Sequence, residues 1–270
     1  MAHGLRMDRD QTTRIKIVSF KNPKPALCMK LHLNASLLFL LCVLSAVPVR
    51  AQSKITGSGR VVRKEISIAG FHKLRNLSSA NLYLTDAGKT PLVTIEADDN
   101  IVPLIEITSR DGVLTVKDRN KAWFNTKNNI NVYVPVETLS ELENNGSGNI
   151  TAEKTIETPA LVFGNNGSGN VVLPLKTKEL QLEQNGSGNV SLSGQTQSFT
   201  LTSRGSGNLN AAGFATETAQ VKLSGSGNAS IQCANALTVQ LTGSGNVTYT
   251  GNPNLVKNVS GSGEVQRKGG

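Results

Sequence analysis

A four-residue motif recurs along the second half of the chain and limits the folds that it can adopt. Gly-Ser-Gly-Glu begins at Gly261, and Gly-Ser-Gly-Asn begins at Gly146, Gly167, Gly186, Gly205, Gly225 and Gly243. Successive motifs are 18 to 21 residues apart. A unit of this length cannot bury an apolar face by itself, so neighbouring units must stack.

Apolar residues alternate with polar ones on both sides of the motif. Six and four places before the first glycine stand pairs such as Leu180/Leu182, and four and six places after it stand pairs such as Val190/Leu192. Ser, Thr, Gln, Lys and Glu occur between them. A period of two indicates a strand with one buried face. Each unit is therefore predicted to contain two short strands joined at a glycine corner.

These features predict an all-β chain folded as a β-solenoid, similar to a parallel β-helix, with coils of 18 to 21 residues. Glycine is expected at the corner because the chain turns sharply there and would adopt positive φ. The motif asparagines would stack in a hydrogen-bonded ladder. A sandwich or propeller of Gly-Ser hairpins is the competing architecture. The predicted corner ladder comprises Gly146, Gly148, Asn149, Gly167, Gly169, Asn170, Gly186, Gly188, Asn189, Gly205, Gly207, Asn208, Gly225, Gly227, Asn228, Gly243, Gly245 and Asn246.

Residues 60–265 are predicted to form a single β-domain with two sections. Residues 60–135 lack the motif but contain strand-like runs such as Ile66–Ile68 and Ile130–Val134, and an Asp111-Gly112 turn. We expect them to cap the repeat coils of residues 136–265, because a cap covers an open sheet edge that otherwise invites aggregation.

The N-terminal segment resembles an export signal. Met29-Lys30 precedes an apolar run from Leu37 to Leu44, and Ala51 is a small residue at the expected cleavage position. Residues 29–51 are predicted to be a signal peptide, and residues 1–28 an over-extended start. The apolar run is short for a bilayer span, so no integral membrane span is expected in the mature chain. Translation from Met1 would instead make this run an internal, uncleaved anchor.

Much of the positive charge lies in that leader. The chain has 28 Lys/Arg and 19 Asp/Glu; residues 1–51 hold eight and two of these, which leaves 20 and 17, so the net charge falls from +9 to +3. The remainder has no basic stripe, and nucleic-acid binding is not expected. Its single cysteine, Cys233, cannot form an intramolecular disulfide and is predicted to be a small, partly buried residue.

The residues present do not predict catalysis, a metal site or a cofactor. A glycosidase needs paired carboxylates, whereas the acids of the repeat region occupy differing repeat positions. Calcium-binding repeats need Asp in the glycine-rich turn, where this chain has Ser or Asn. One histidine after residue 51 cannot form a zinc site unaided, and no Gly-Lys-Ser/Thr follows the Gly-x-Gly units. We therefore expect a non-enzyme without a cofactor.

Several segments together resemble a known family. They are Asp111-Gly112-Val113-Leu114-Thr115-Val116, Val132-Tyr133-Val134-Pro135 and the serial Gly-Ser-Gly-Asn units, within the stretch from Phe71 to Tyr249. In this stretch the chain resembles the "putative auto-transporter adhesin, head GIN domain" proteins. The resemblance implies an all-β stack and an envelope location in a Gram-negative bacterium. It supplies no catalytic residues, and fold alone does not determine function.

Candidate ligand contacts lie on the polar face and in one loop. Thr200, Gln220 and Thr238 would occupy one outward column, and Thr202 and Gln240 the next; Trp123 and Phe124 lie in a polar loop and favour contact with a sugar or a protein. Packing of the two aromatics on the solenoid core is the alternative. These features favour a non-enzymatic binding or adhesion protein, exported to the periplasm or the cell surface, with an unknown glycan or protein ligand. A periplasmic scaffold or partner-binding protein is the first alternative, and a carbohydrate-active enzyme the second.

Overall fold

The fold consists almost entirely of β-strands. It is seen in a computed structural model, which describes residues 54–88 and 92–269, all within one compact unit. The segments 1–28 and 29–51 discussed above lie outside the described residues. Short 3-10 helices span Val102–Leu104 and Arg119–Lys121. The strands are β1 Ile55–Thr56, β2 Val61–Ser67, β3 Lys73–Leu77, β4 Asn81–Asp86, β5 Leu92–Asp98, β6 Ile105–Arg110, β7 Val113–Asp118, β8 Phe124–Asn125, β9 Asn131–Val136, β10 Glu141–Asn144, β11 Ile150–Ala152, β12 Ile156–Asn165, β13 Val171–Gln184, β14 Val190–Ser203, β15 Leu209–Leu223, β16 Ala229–Leu241, β17 Val247–Thr250, β18 Asn254–Val259 and β19 Val265–Arg267.

From β10 to β19 the chain winds through seven successive turns, each pairing in parallel with the next. Equivalent residues of successive coils face one another, as Leu180 faces Phe199 and Phe199 faces Ala219. This pairing confirms the predicted β-solenoid. Antiparallel hairpins, which a sandwich or propeller requires, do not occur in this part of the stack.

Two earlier parts of the chain extend the same stack. β3 pairs in parallel with β10 on one side and with β7 on the other, and β4 pairs in the same way with β11 and β9. The coil Lys73–Asp86 therefore lies between the coil Val113–Val136 and the first motif coil. The coils are stacked out of chain order, and residues 60–135 contain two coils in addition to end-covering strands.

Antiparallel strands cover the end of the stack beside β7 and β9. β6 pairs with β7, and β5 pairs with both β9 and β2. The outermost strand, β2, carries Arg63, Lys64 and Glu65 as exposed residues. Charged side chains on an edge strand disfavour pairing with another molecule.

The core is a narrow apolar column inside the coils. For the motifs that begin at Gly167, Gly186, Gly205 and Gly225, the residues six and four places before the motif and four and six places after its first glycine are all buried. Phe163, Phe199 and Phe214 are the largest fully buried side chains, and the rings of Phe199 and Phe214 meet edge to face at 6.1 Å. Burial of this apolar surface supplies the main driving force for folding.

The motif glycines are needed for a different reason from the one predicted. Among the described residues, only Gly261 of the seven motifs has positive φ, so the expectation of a left-handed corner is wrong. The backbones of successive coils instead approach each other closely at the corner. A Cβ on Gly169 would lie 1.9 Å from the carbonyl oxygen of Gly148, and one on Gly188 would lie 2.0 Å from that of Gly169. Glycine is needed because no other residue leaves room for the neighbouring coil.

Candidate functional site

The motif asparagines form one exposed column of hydrogen bonds along the corner. Oδ1 of Asn149 accepts the backbone N–H of Asn170 at 2.9 Å, and the same bond repeats at each coil as far as Asn246. Oδ1 of Asn246 accepts the backbone N–H of Glu264 at 2.9 Å. Because these oxygens already have partners within the fold, the ladder holds the coils together and is a poor candidate for ligand recognition.

A second polar column lies inside the core, two places before the first motif glycine. Asn76, Asn144 and Asn165 are fully buried there. Nδ2 of Asn76 donates to Oδ1 of Asn144 at 3.0 Å, and Nδ2 of Asn144 donates to Oδ1 of Asn165 at 3.1 Å. Nδ2 of Asn165 donates to the carbonyl of Gly188 at 3.3 Å. We call this column the buried spine. It was not predicted from the sequence, although the period of two that places the apolar pairs inside also places this position inside.

The side chains of the buried spine form fewer hydrogen bonds toward the later coils. Its next members are Gln184 and Ser203, followed by Leu223 and Leu241, and all four are buried. Among the described residues, Oε1 of Gln184 and Oγ of Ser203 have no hydrogen-bond partner. A buried polar atom without a partner lowers stability, because it was hydrated in the unfolded chain.

We expect Ser203→Ala to raise the free energy of unfolding by up to about 1 kcal/mol, because it removes an unsatisfied buried hydroxyl. Urea unfolding of the two proteins measures the difference. Ser224→Ala is the matched control: Ser224 is exposed and its hydroxyl donates to the carbonyl of Ser203 at 3.4 Å, so it should change stability by less than about 0.5 kcal/mol. A loss of stability in Ser203→Ala larger than in the control would contradict this account.

The predicted polar face lies on the strand halves that precede the motif. In one column Thr200 faces Gln220, which faces Thr238. In the neighbouring column Thr202 faces Lys222, which faces Gln240. All six side chains are exposed or half-buried, and none forms a hydrogen bond or ion pair within the described protein. Their hydroxyl, amide and ammonium groups therefore remain free to bind a ligand, in contrast to the asparagine ladders.

The two predicted aromatic contacts have different environments. The Trp123 side chain is 67% exposed, whereas Phe124 is partly buried against the core and its strand pairs with β1. Trp123 lies at a cleft of about 360 Å³ lined by Leu77, Ser78, Ser79, Asp118, Ala122, Trp123, Phe124, Gly146 and Ser147. We call this the tryptophan cleft. Phe124 therefore takes the core-packing role, and Trp123 is available for contact.

Asp118 gives the tryptophan cleft an acidic wall. Oδ2 accepts the backbone N–H of Ser79 at 2.9 Å, while Oδ1 is buried and has no partner among the described residues. Burial raises the pKa of this carboxyl above its ordinary value, and the Ser79 hydrogen bonds oppose the shift. No Lys or Arg with a described side chain forms an ion pair with Asp118.

The polar face and the tryptophan cleft are separate sites. Leu77 lies in β3 and Thr200 in β14, with β10, β12 and β13 between them in the stack. Four strand spacings correspond to about 19 Å. The structure therefore brings the Thr and Gln side chains together but does not place Trp123 beside them.

A larger groove of about 650 Å³ follows another corner of the coils, across β12 to β16. Its floor is the buried column Thr158, Thr177, Thr196 and Thr216. These hydroxyls donate to backbone carbonyls, as Thr177 does to Glu179 at 3.0 Å. Cys233 continues the column, buried, with its thiol donating to the carbonyl of Ala236 at 3.2 Å; burial raises the pKa of this thiol. The groove floor is therefore polar but already satisfied.

The described residues show no constellation suited to catalysis by a metal. No three His, Cys, Asp or Glu side chains within residues 54–88 and 92–269 are grouped closely enough to hold a metal ion. Ion pairs lie at the surface, for example Lys73 with Glu141 at 2.7 Å and Lys176 with Glu157 at 3.3 Å. No helix in the part of the chain that the structure describes is long and apolar enough to cross a membrane.

The fold and its surfaces define a class: a parallel β-solenoid whose corner is built from glycine and asparagine ladders and whose exposed face is polar. The chain belongs to the family "putative auto-transporter adhesin, head GIN domain", whose model matches residues 70–253. This confirms the resemblance drawn from the motif. No curated protein matches the chain.

Three solved structures illustrate the similarity of the fold. A "putative adhesin" of Bacteroides fragilis is 23% identical, with a TM-score of 0.75 over 79% of this chain and 100% of that one. A "putative adhesin" of Parabacteroides merdae is 24% identical, with a TM-score of 0.63 over 80% and 99%. A "putative lipid binding protein" of Parabacteroides distasonis is 23% identical, with a TM-score of 0.67 over 80% and 100%. At these identities the likeness establishes the fold alone.

Proposed function

We propose that the chain is an exported, non-enzymatic binding protein of the Gram-negative cell envelope, and that the polar face around Thr200, Gln220 and Gln240 contacts its ligand, a glycan or a protein. The family description and two neighbouring structures, both called adhesins, support a binding role. The observation that carries the proposal is a contrast between two kinds of column. The asparagine side chains are hydrogen-bonded to neighbouring coils, whereas the Thr and Gln side chains form no hydrogen bond with any described residue.

The face suits a repetitive, extended ligand. Equivalent side chains of successive coils are about 4.8 Å apart along the stack, so one column offers the same group at regular intervals. Hydroxyls and amides both donate and accept hydrogen bonds, which matches the hydroxyl-rich surface of a glycan. Since each contact is weak in water, affinity would come from several coils acting together.

The double variant Gln220→Ala/Gln240→Ala is expected to bind about fivefold to a hundredfold more weakly to a ligand found on an array of bacterial and host glycans, because two hydrogen-bonding amides are lost. Binding of the labelled, purified protein to the array measures this. Gln195→Ala/Gln232→Ala is the matched control, since both glutamines are exposed but lie outside the two columns. Equal weakening in both variants, or in neither, would exclude this face as the contact.

Location separates the proposed function from its main alternative. Protease is added to intact cells that express the protein, with a periplasmic protein as the control for cell integrity. Cleavage while the control stays intact would place the protein on the surface, as an adhesion role requires. Full protection would place it in the periplasm, contradict adhesion, and favour an envelope scaffold or partner-binding protein.

A further inference from the structure

The tryptophan cleft exists because one coil departs from the regular corner. In the coil Lys73–Asp86, Ser78 and Ala80 stand where the next coil has Gly146 and Gly148. Their side chains fit because the coil below, Val113–Val136, replaces the tight corner with a longer loop that contains a 3-10 helix and β8. That loop carries Trp123 over the corner and leaves the cleft open.

Three features of the cleft need a common explanation. The ring of Trp123 is mostly exposed, and Leu77 beside it is 43% exposed, although it is a large apolar residue. Asp118 lines the same cleft with one carboxylate oxygen bonded to Ser79, while the other has no hydrogen-bond partner in the part of the chain that the structure describes. An aromatic face attracts cations, and a carboxylate shielded from water attracts them more strongly than an exposed one.

We propose that the tryptophan cleft binds the ammonium group of an amine ligand, with the cation over the ring of Trp123, the carboxylate of Asp118 as its counter-ion, and Leu77 against the ligand's carbon chain. A neutral sugar would gain stacking on Trp123 but would bring no positive charge to Asp118, which forms no ion pair with any described side chain. The chemistry is shared by two sources, an amino sugar and a lysine side chain. This site is distinct from the polar face, so either proposal can fail without the other.

The chain carries its own reporter for this site, because Trp123 is the single tryptophan in the sequence. The purified protein is titrated with propylammonium, D-glucosamine, Nα-acetyl-lysinamide and D-glucose at constant ionic strength, and tryptophan fluorescence is followed. We expect saturable changes with the three amines and none with glucose. Tighter binding of glucosamine than of the lysine derivative identifies an amino sugar as the source, and the reverse order identifies a lysine side chain.

Asp118→Asn removes the charge while it keeps the shape of the side chain and an acceptor for Ser79. The variant is expected to bind each amine at least about tenfold more weakly, because a charge-assisted interaction is lost. Asp111→Asn is the matched control: it removes the same charge from an exposed turn, at a φ of 52° that asparagine tolerates. Thermal unfolding verifies that both variants are folded.

Three results would overturn the proposal. Equal fluorescence changes with glucose and glucosamine would show that the cleft recognises a sugar ring and not the ammonium group. Amine titrations that leave the fluorescence unchanged would show that no cation binds beside Trp123. Equal weakening by Asp118→Asn and Asp111→Asn would show that the amines respond to net charge, which added salt screens, and not to this carboxylate.

Discussion

Gly188→Ala is expected to lower the free energy of unfolding by about 3 kcal/mol or more, because the added methyl group has no room. Its Cβ would lie 2.0 Å from the carbonyl oxygen of Gly169, 2.8 Å from the carbonyl carbon, and 3.0 Å from the carbonyl carbon of Ser168. All three atoms are backbone atoms of the neighbouring coil, so the clash can be relieved only by separating the coils. Separation would weaken the parallel hydrogen bonds between β13 and β14.

Gly213→Ala is the matched control for this prediction. Gly213 lies in β15 without positive φ, and a Cβ there would meet no atom within 4 Å. Alanine should be neutral at this site or stabilise the protein by up to about 1 kcal/mol, because it restricts the unfolded chain. Urea unfolding of the two variants gives the comparison. Similar stabilities would mean that the corner can open without cost and that close stacking does not explain the motif.

The regular coils could be predicted from the sequence because their signals are local. Alternation around each motif indicates which residues face inward, and the spacing of the motif gives the length of the coil. The cause of the glycine requirement could not be read in the same way. A sharp turn and a close approach both select glycine, and only the position of Gly169 beneath Gly188 distinguishes them.

The order of the first coils could not be predicted because their corner lacks glycine. Asn76-Leu77-Ser78-Ser79-Ala80-Asn81 occupies the place that Asn144–Asn149 has in the next coil. A weaker signal was present: asparagines five residues apart, with Leu74 and Leu82 at the apolar positions of the repeat. The sequence indicated Trp123 as a contact, and Asp118 lies only five residues before it in the same coil. Leu77 joins them only because the coil Lys73–Asp86 stacks on the coil Val113–Val136.

Two adjacent asparagines of the repeat differ in burial, which their identity alone does not indicate. Asn144 and Asn145 are adjacent and identical in chemistry, yet one is fully buried and the other exposed. Asn144 links Asn76 to Asn165 within the core. Asn145 accepts the side-chain amide of Asn166 at 2.9 Å in an outer ladder that water also reaches. Solvent can replace the bonds of Asn145 but not those of Asn144.

Asn144→Ala is therefore expected to lower the free energy of unfolding by about 2 to 5 kcal/mol. The variant removes the acceptor of the Asn76 amide and the donor to Oδ1 of Asn165, which both stay buried, and it opens a cavity. Asn145→Ala, the same change one residue later, should cost less than about 1 kcal/mol. Urea unfolding of both variants measures the difference. Equal losses of stability would show that the buried spine stabilises the protein no more than an exposed ladder does. Apolar contacts of the kind made by Leu223 and Leu241, at the same position of later coils, would then be enough to hold the coils together.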